Sequence, residues 1–211
     1  MIQRTVKQIT AIILLLGIMI STDVTIKANE TKDLKTQCEN IENQIKVGTI
    51  QSINKSQVPK DVQVIKTNTV EEYEKVLKDL SNETLQDTEE NENMSDKSRS
   101  SSYSMNVTKT YTTNGGTFKI VERAIIKIKN KQGDLQIKST AINLTGFTYS
   151  LKIVGKQWDN TVKKKVASIK CHFNIRHYIT TPFGEIKMYD NPHTQSFKYS
   201  KDKGIFNKVL K

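Results

Sequence analysis

Ile169-Lys170-Cys171-His172-Phe173-Asn174-Ile175-Arg176 alternates apolar and polar residues without a break. A period of two is that of a half-buried β-strand, whose successive side chains point to opposite faces. Ile169, Cys171, Phe173 and Ile175 take the inner face, leaving Lys170, His172, Asn174 and Arg176 outside. The same period recurs on both sides of this stretch. Towards the C terminus, Pro182-Phe183-Gly184 makes a turn, Ile186 and Met188 face one way, Asn191-Pro192 interrupts, and Phe197 and Tyr199 form a last strand. Towards the N terminus, Phe147, Tyr149, Leu151 and Ile153 give a strand ended by Gly155, and Leu135 and Ile137 follow the turn Gly133-Asp134. Earlier still, Phe118, Ile120, Ile126 and Ile128 return from Tyr103, Met105 and Val107 through Asn114-Gly115-Gly116. Those three residues supply the positive φ of a tight hairpin.

About seven to nine short strands joined by Gly, Asn and Pro turns predict an antiparallel β-sandwich or barrel over residues 103–211. Glu122 falls in phase with the apolar residues around it. A carboxylate there predicts a bulge or register change near Val121, with the side chain either turned to solvent or met by a Lys partner. If it stays inside, burial raises its pKa.

Upstream, the period changes to that of a helix. Leu34, Cys38, Ile41 and Ile45 share one face, with Gly48 as a stop and Glu42 one turn from Lys46. Thr69 and Glu72 fit a capping box opening a second helix, whose Val70, Tyr73, Val76, Leu77 and Leu80 form an apolar stripe. Between the helices, Val62, Val64 and Ile65 after Pro59 suggest a short extended piece, and residues 29–81 are otherwise expected to be a helical region, making the chain α+β. From 82 to 102 only Leu85 and Met94 interrupt Glu, Asp, Asn and Ser, so this stretch is expected to be a disordered acidic and Ser-rich linker.

The first 28 residues carry Arg4 and Lys7 before the apolar run Ile9–Ile20. That run is too short to cross a bilayer but fits a signal peptide, with cleavage after Ala28. The expected product is secreted or extracellular, and held at the cell wall if its charge finds a partner there. Export permits a disulfide, and Cys38 with Cys171 is the only pair available.

Charge is divided sharply. Residues 29–100 carry 10 basic and 15 acidic side chains, and residues 101–211 carry 20 basic and 6 acidic ones, a net of +14. Lys127, Lys129 and Lys131 alternate on one strand, Lys170 and Arg176 on another, Lys152 and Lys156 on a third, and Lys163, Lys164 and Lys165 crowd a loop. On neighbouring strands these would make a positive sheet surface. The partner expected is an anionic cell-wall polymer, a membrane surface or another polyanion. Nucleic acid is not expected, because export removes the encounter.

Signs of chemistry are few. His172, His177 and His193 stand in no metal-ligand spacing, and Cys171 and His172 are adjacent on a strand and point to opposite faces. No nucleophile elbow, phosphate loop or cofactor signature occurs, so neither metal nor cofactor is expected. The sequence reads as a non-enzymatic exported binding protein. A secreted hydrolase without a recognisable motif, or an effector or immunity protein recognising one protein partner, are the alternatives.

Overall fold

The computed structural model describes residues 30–96, 102–113, 118–146, 148 and 150–206. The expected signal peptide, the turn Asn114-Gly115-Gly116, Phe147, Tyr149 and the serines Ser98, Ser100 and Ser101 lie outside the described residues. The described residues are mostly antiparallel β, with two short α-helices and two sheets. Among the described residues no helix is long and apolar enough to cross a membrane.

The larger sheet is organised by the stretch read first. Strand β9 (Val166–Thr180) pairs along its length with β10 (Ile186–Ser200), Cys171 facing Gln195 and Ile169 facing Phe197. Short strands β1 (Thr49–Ile53) and β11 (Gly204–Phe206) join β10. β9 is joined by β7 (Leu151–Trp158), β8 (Thr161–Lys163) and the parallel β2 (Ile65–Lys66). The smaller sheet has the order β3 (Leu85–Asp96), β4 (Tyr103–Thr113), β5 (Phe118–Ile128), β6 (Leu135–Gly146).

The two sheets face one another through their apolar rows. One core holds Val107, Ile126, Ile128, Ile169, Phe197 and Tyr199; a second holds Tyr111, Phe118, Ile120, Cys171, Phe173 and Ile175. Each large apolar side chain removed from water contributes roughly 1.5–3 kcal/mol, which makes these facing rows the main cohesive term.

The N-terminal region packs on the far part of the larger sheet. Helix α1 spans residues 30–44, and α2 (Val70–Ser81) begins as its sequence predicts, with Thr69 Oγ1 accepting the Glu72 N–H at 3.2 Å. The Glu72 carboxylate reaches back one residue further, to the Asn68 N–H at 2.7 Å. Cys38 and Ile41 of α1 and Tyr73 and Leu77 of α2 form a third core with Ile179 and Tyr189. Glu42 is expected to pair with Lys46 but meets the buried Lys187 at 3.2 Å and the Tyr73 hydroxyl at 2.8 Å, because α1 ends before Lys46. Strand β2 begins in the expected extended piece, at Ile65, whereas β1 is a strand of the larger sheet within the region read as helical.

Three expectations need correction. The stretch read as a linker carries β3, a 12-residue edge strand. It lacks the apolar content that orders most strands and is held by charge: Asp87 and Glu90 reach Lys109, and Glu89 reaches Lys119 at 3.0 Å. The bulge near Val121 is absent. The β4–β5 register runs unbroken through Lys109 and Glu122, and the irregularity falls between Ile125 and Ile126 on the β6 side. Cys38 and Cys171 are free and buried in different cores, so the proposed bridge does not form.

Gly48 shows how tightly the helical layer meets the sheet. Its φ is +86°, and a Cβ there would stand 2.5 Å from the Asp190 carbonyl oxygen. Gly48→Ala is expected to cost about 2 kcal/mol or more, from the left-handed backbone and the contact together, as read from a urea midpoint.

Candidate functional site

The cations read from sequence do not share one face. Lys127 stands on β5 of the smaller sheet, whereas Lys152, Lys170 and Arg176 belong to β7 and β9 of the larger one. Two of these are spent internally. Arg176 makes a two-pronged pair with Asp190 at 2.7 Å through each nitrogen, and Lys152 meets Asp61 at 3.0 Å. A continuous positive sheet surface is therefore not formed.

Five of the others, Lys129, Lys131, Lys163, Lys164 and Lys165, gather at one end instead, whereas Lys127 and Lys170 stay within their strands. The turn between β5 and β6 carries Lys129 and Lys131, and the turn between β8 and β9 carries Lys164 and Lys165, next to Lys163. Register brings a third turn to the same end: Tyr199 pairs with Ala167 and Ser200 with Gly204, so Lys201 and Lys203 project there. Lys201 ties two turns together, its Nζ donating to the Lys131 carbonyl at 3.0 Å. All seven lysines are exposed, against the two acids Asp134 and Asp202 on these turns. Asp134 is engaged locally, accepting from Asn130 Nδ2 at 2.7 Å.

The backbone of one turn carries a second signal. Lys163 pairs with Val166, which leaves Lys164 and Lys165 as a two-residue hairpin turn with φ of 47° and 64°. That geometry is the type I′ turn, for which Asn-Gly is the favoured pair. A side chain in the left-handed region costs roughly 1–2 kcal/mol. Two lysines are held where glycine and asparagine fit better, and what they add is charge.

Glu122 is the other unusual group. It is fully buried between the sheets, with the Tyr111 hydroxyl donating to Oε2 at 2.9 Å and no partner for Oε1. Lys109, its cross-strand neighbour, is equally buried and lies 2.8 Å from Asp87 and 3.1 Å from Glu90. Burial pushes the Glu122 carboxyl up to about 7, further aided by Asp87 and opposed by the Tyr111 hydrogen bond and by Lys109. Glu83, between α2 and β3, is raised to about 7 by burial alone.

The histidines divide by face. His177 is buried, with neither ring nitrogen hydrogen-bonded, and burial, reinforced by His193, lowers its pKa to about 4. His193 is lowered to about 4 by burial. His172 is half-exposed on the outer face, Nε2 lying 3.2 Å from Asp159 and Nδ1 2.8 Å from the Thr194 hydroxyl. An acid, an imidazole and a hydroxyl in line have the order of a nucleophilic triad. However, Thr194 and His172 are directly paired on the outer face of the β9–β10 ladder. Thr194 and Asp159 are both exposed there, so the group stands in open water with nothing to exclude it from a reacting centre. Among the described residues no group of three or more His, Cys, Asp or Glu is placed to hold a metal.

These features define a predominantly antiparallel β protein with a helical layer on one sheet and a lysine-rich end. No protein family, no curated protein and no solved structure matches the chain. Lys201 and Lys203 are the members that sequence reading missed, because pairing of β11 with β10 is what folds them back.

Proposed function

We propose that the protein is a non-enzymatic exported β protein whose lysine-rich end holds an anionic polymer or surface. The observation that carries this reading is the convergence of Lys129, Lys131, Lys163, Lys164, Lys165, Lys201 and Lys203 on three adjoining turns. The reading of residues 1–28 as a cleaved leader supplies the setting. Each lysine near an anionic surface adds about 1 kcal/mol, fading over roughly 8 Å in physiological salt. Turn tips are the part of a sheet protein that reaches a surface first, and their lysines keep the hydration that a reversible, salt-sensitive contact needs.

The strained Lys164-Lys165 turn gives the test. Lys164→Asn with Lys165→Gly restores the favoured type I′ pair, and is expected to stabilise the fold by about 1 kcal/mol. The same change removes two positive charges, so binding to heparin as an anionic probe is expected to weaken several-fold. Binding of the unaltered protein is expected to fall steeply with added salt. Affinity that ignores salt, or that survives the double substitution, rejects the proposal.

A further inference from the structure

We infer that the β6 side of the two-sheet body, adjoining the lysine-rich end, is a groove for a linear acidic polysaccharide. This rests on the polyanion reading above and names its ligand. The two sides of the body differ. Along β3 the sheets are tied, Glu92 Oε1 accepting the Ile205 N–H of β11 at 2.6 Å. Along β6 side chains make the ties, Lys156 to the Ile142 carbonyl and Asn160 to Thr140, and two hollows lie one after the other beside them. The first, about 510 Å³, lies between Gln136–Thr140 and Asn160–Val162, immediately before Lys163. The second, about 360 Å³, continues between Ile142–Leu144 and Leu151–Ile153, with Asp61 at its rim. Both fall within the roughly 300–1,000 Å³ of ligand-binding clefts.

The lining chemistry selects the ligand. Cations are spaced along the groove rather than massed: Lys138 in the first hollow, then Lys156, whose Nζ donates to the Ile142 carbonyl at 3.2 Å, while Lys152 at the far end is neutralised by Asp61. Between them stand neutral hydrogen-bonding side chains, among them Gln136, Ser139, Thr140, Asn143 and Asn160. Asn160 Nδ2 donates to Thr140 Oγ1 at 3.3 Å, across the first hollow. Hydroxyl-rich rings carrying a charge at intervals satisfy both kinds of group. Polyphosphate has the charge without the hydroxyls. Single-stranded nucleic acid relies on aromatic stacking, and Trp158 is packed into the cores. A bilayer is flat, and this surface is concave.

The test uses the full chain with oligomers of polygalacturonate, a glycan with one carboxylate per ring, and with linear polyphosphate. Lys138→Gln with Lys156→Gln is expected to weaken polygalacturonate binding roughly tenfold while changing polyphosphate binding less than about twofold. Asn143→Ala with Asn160→Ala is expected to weaken the glycan selectively. All four positions are exposed, and melting curves verify that the variants fold. Unchanged glycan affinity in both groove variants, with loss in Lys129→Gln/Lys131→Gln, overturns the groove and leaves the lysine-rich end standing. Equal losses on both polymers overturn the glycan assignment. Failure of the unaltered protein to bind either polymer overturns the polyanion reading itself, and the groove with it.

Discussion

Glu122→Gln is expected to raise stability at pH 8 by up to about 3 kcal/mol while leaving it nearly unchanged at pH 4. The carboxyl is raised from 4.5 in the unfolded chain to about 7 in the fold. Below pH 4.5 both states hold the proton and nothing is lost. Between 4.5 and 7 the unfolded chain gives up its proton while the folded one keeps it, so stability falls as pH rises, and the penalty is complete above 7. Glutamine cannot ionise, yet its amide oxygen still accepts from Tyr111. The difference between the two proteins across pH is the readout, by urea unfolding. The total curve of the unaltered protein is flatter than this, because His177 and His193 titrate in the opposite sense. Their lowered pKa values make stability rise with pH between about 4 and 6.5. A variant no more stable than its parent at pH 8 rejects the account of Glu122.

Lys109→Met is expected to cost about 3 kcal/mol, within the range for removing one member of a buried ion pair. The ammonium is fully buried and stands against Asp87 and Glu90 of the edge strand. Both acids are about half exposed, so they regain water when the cation goes, which keeps the loss towards the lower end. Strand β3 buries little apolar surface, since Met94 is exposed and Leu85 only half-buried, so its order depends on its backbone ladder and its charged contacts. Hydrogen exchange is expected to accelerate first in β3 and later in β4 and β5. Combining Lys109→Met with Glu122→Gln recovers part of the loss, because the neutral amide no longer needs a cation nearby. Strictly additive losses would show that the two side chains are not coupled.

What the sequence made legible is local. Ile169 to Arg176 declared β9 through strict alternation, and Thr69 with Glu72 declared the start of α2 through capping chemistry. Both depend on residues close in the chain. Strand β3 was hidden because its order comes from Lys109 and Lys119, side chains in strands β4 and β5 that offset its lack of apolar content. The apolar phase marks Glu122 as out of place but leaves open whether it turns to solvent or meets a lysine. Its phase is held by Lys109 directly across the strand pair and by Tyr111 two residues further on, a relation visible only once the register is known. The lysines fared similarly. Their number on the C-terminal half was plain, but Lys127 and Lys170 proved to lie on different sheets, while Lys201 joined Lys131 through a contact spanning 70 residues.

The two free thiols lie in separate cores, with pKa values pushed by burial up to about 11 for Cys38 and about 12 for Cys171. In the closed protein neither offers a thiolate to an alkylating reagent, so each is modified only when its own surroundings come apart. One reports release of α1 from the larger sheet, the other parting of the two sheets. Pulsed labelling followed by peptide mapping would therefore time the opening of each layer independently, with no engineered probe.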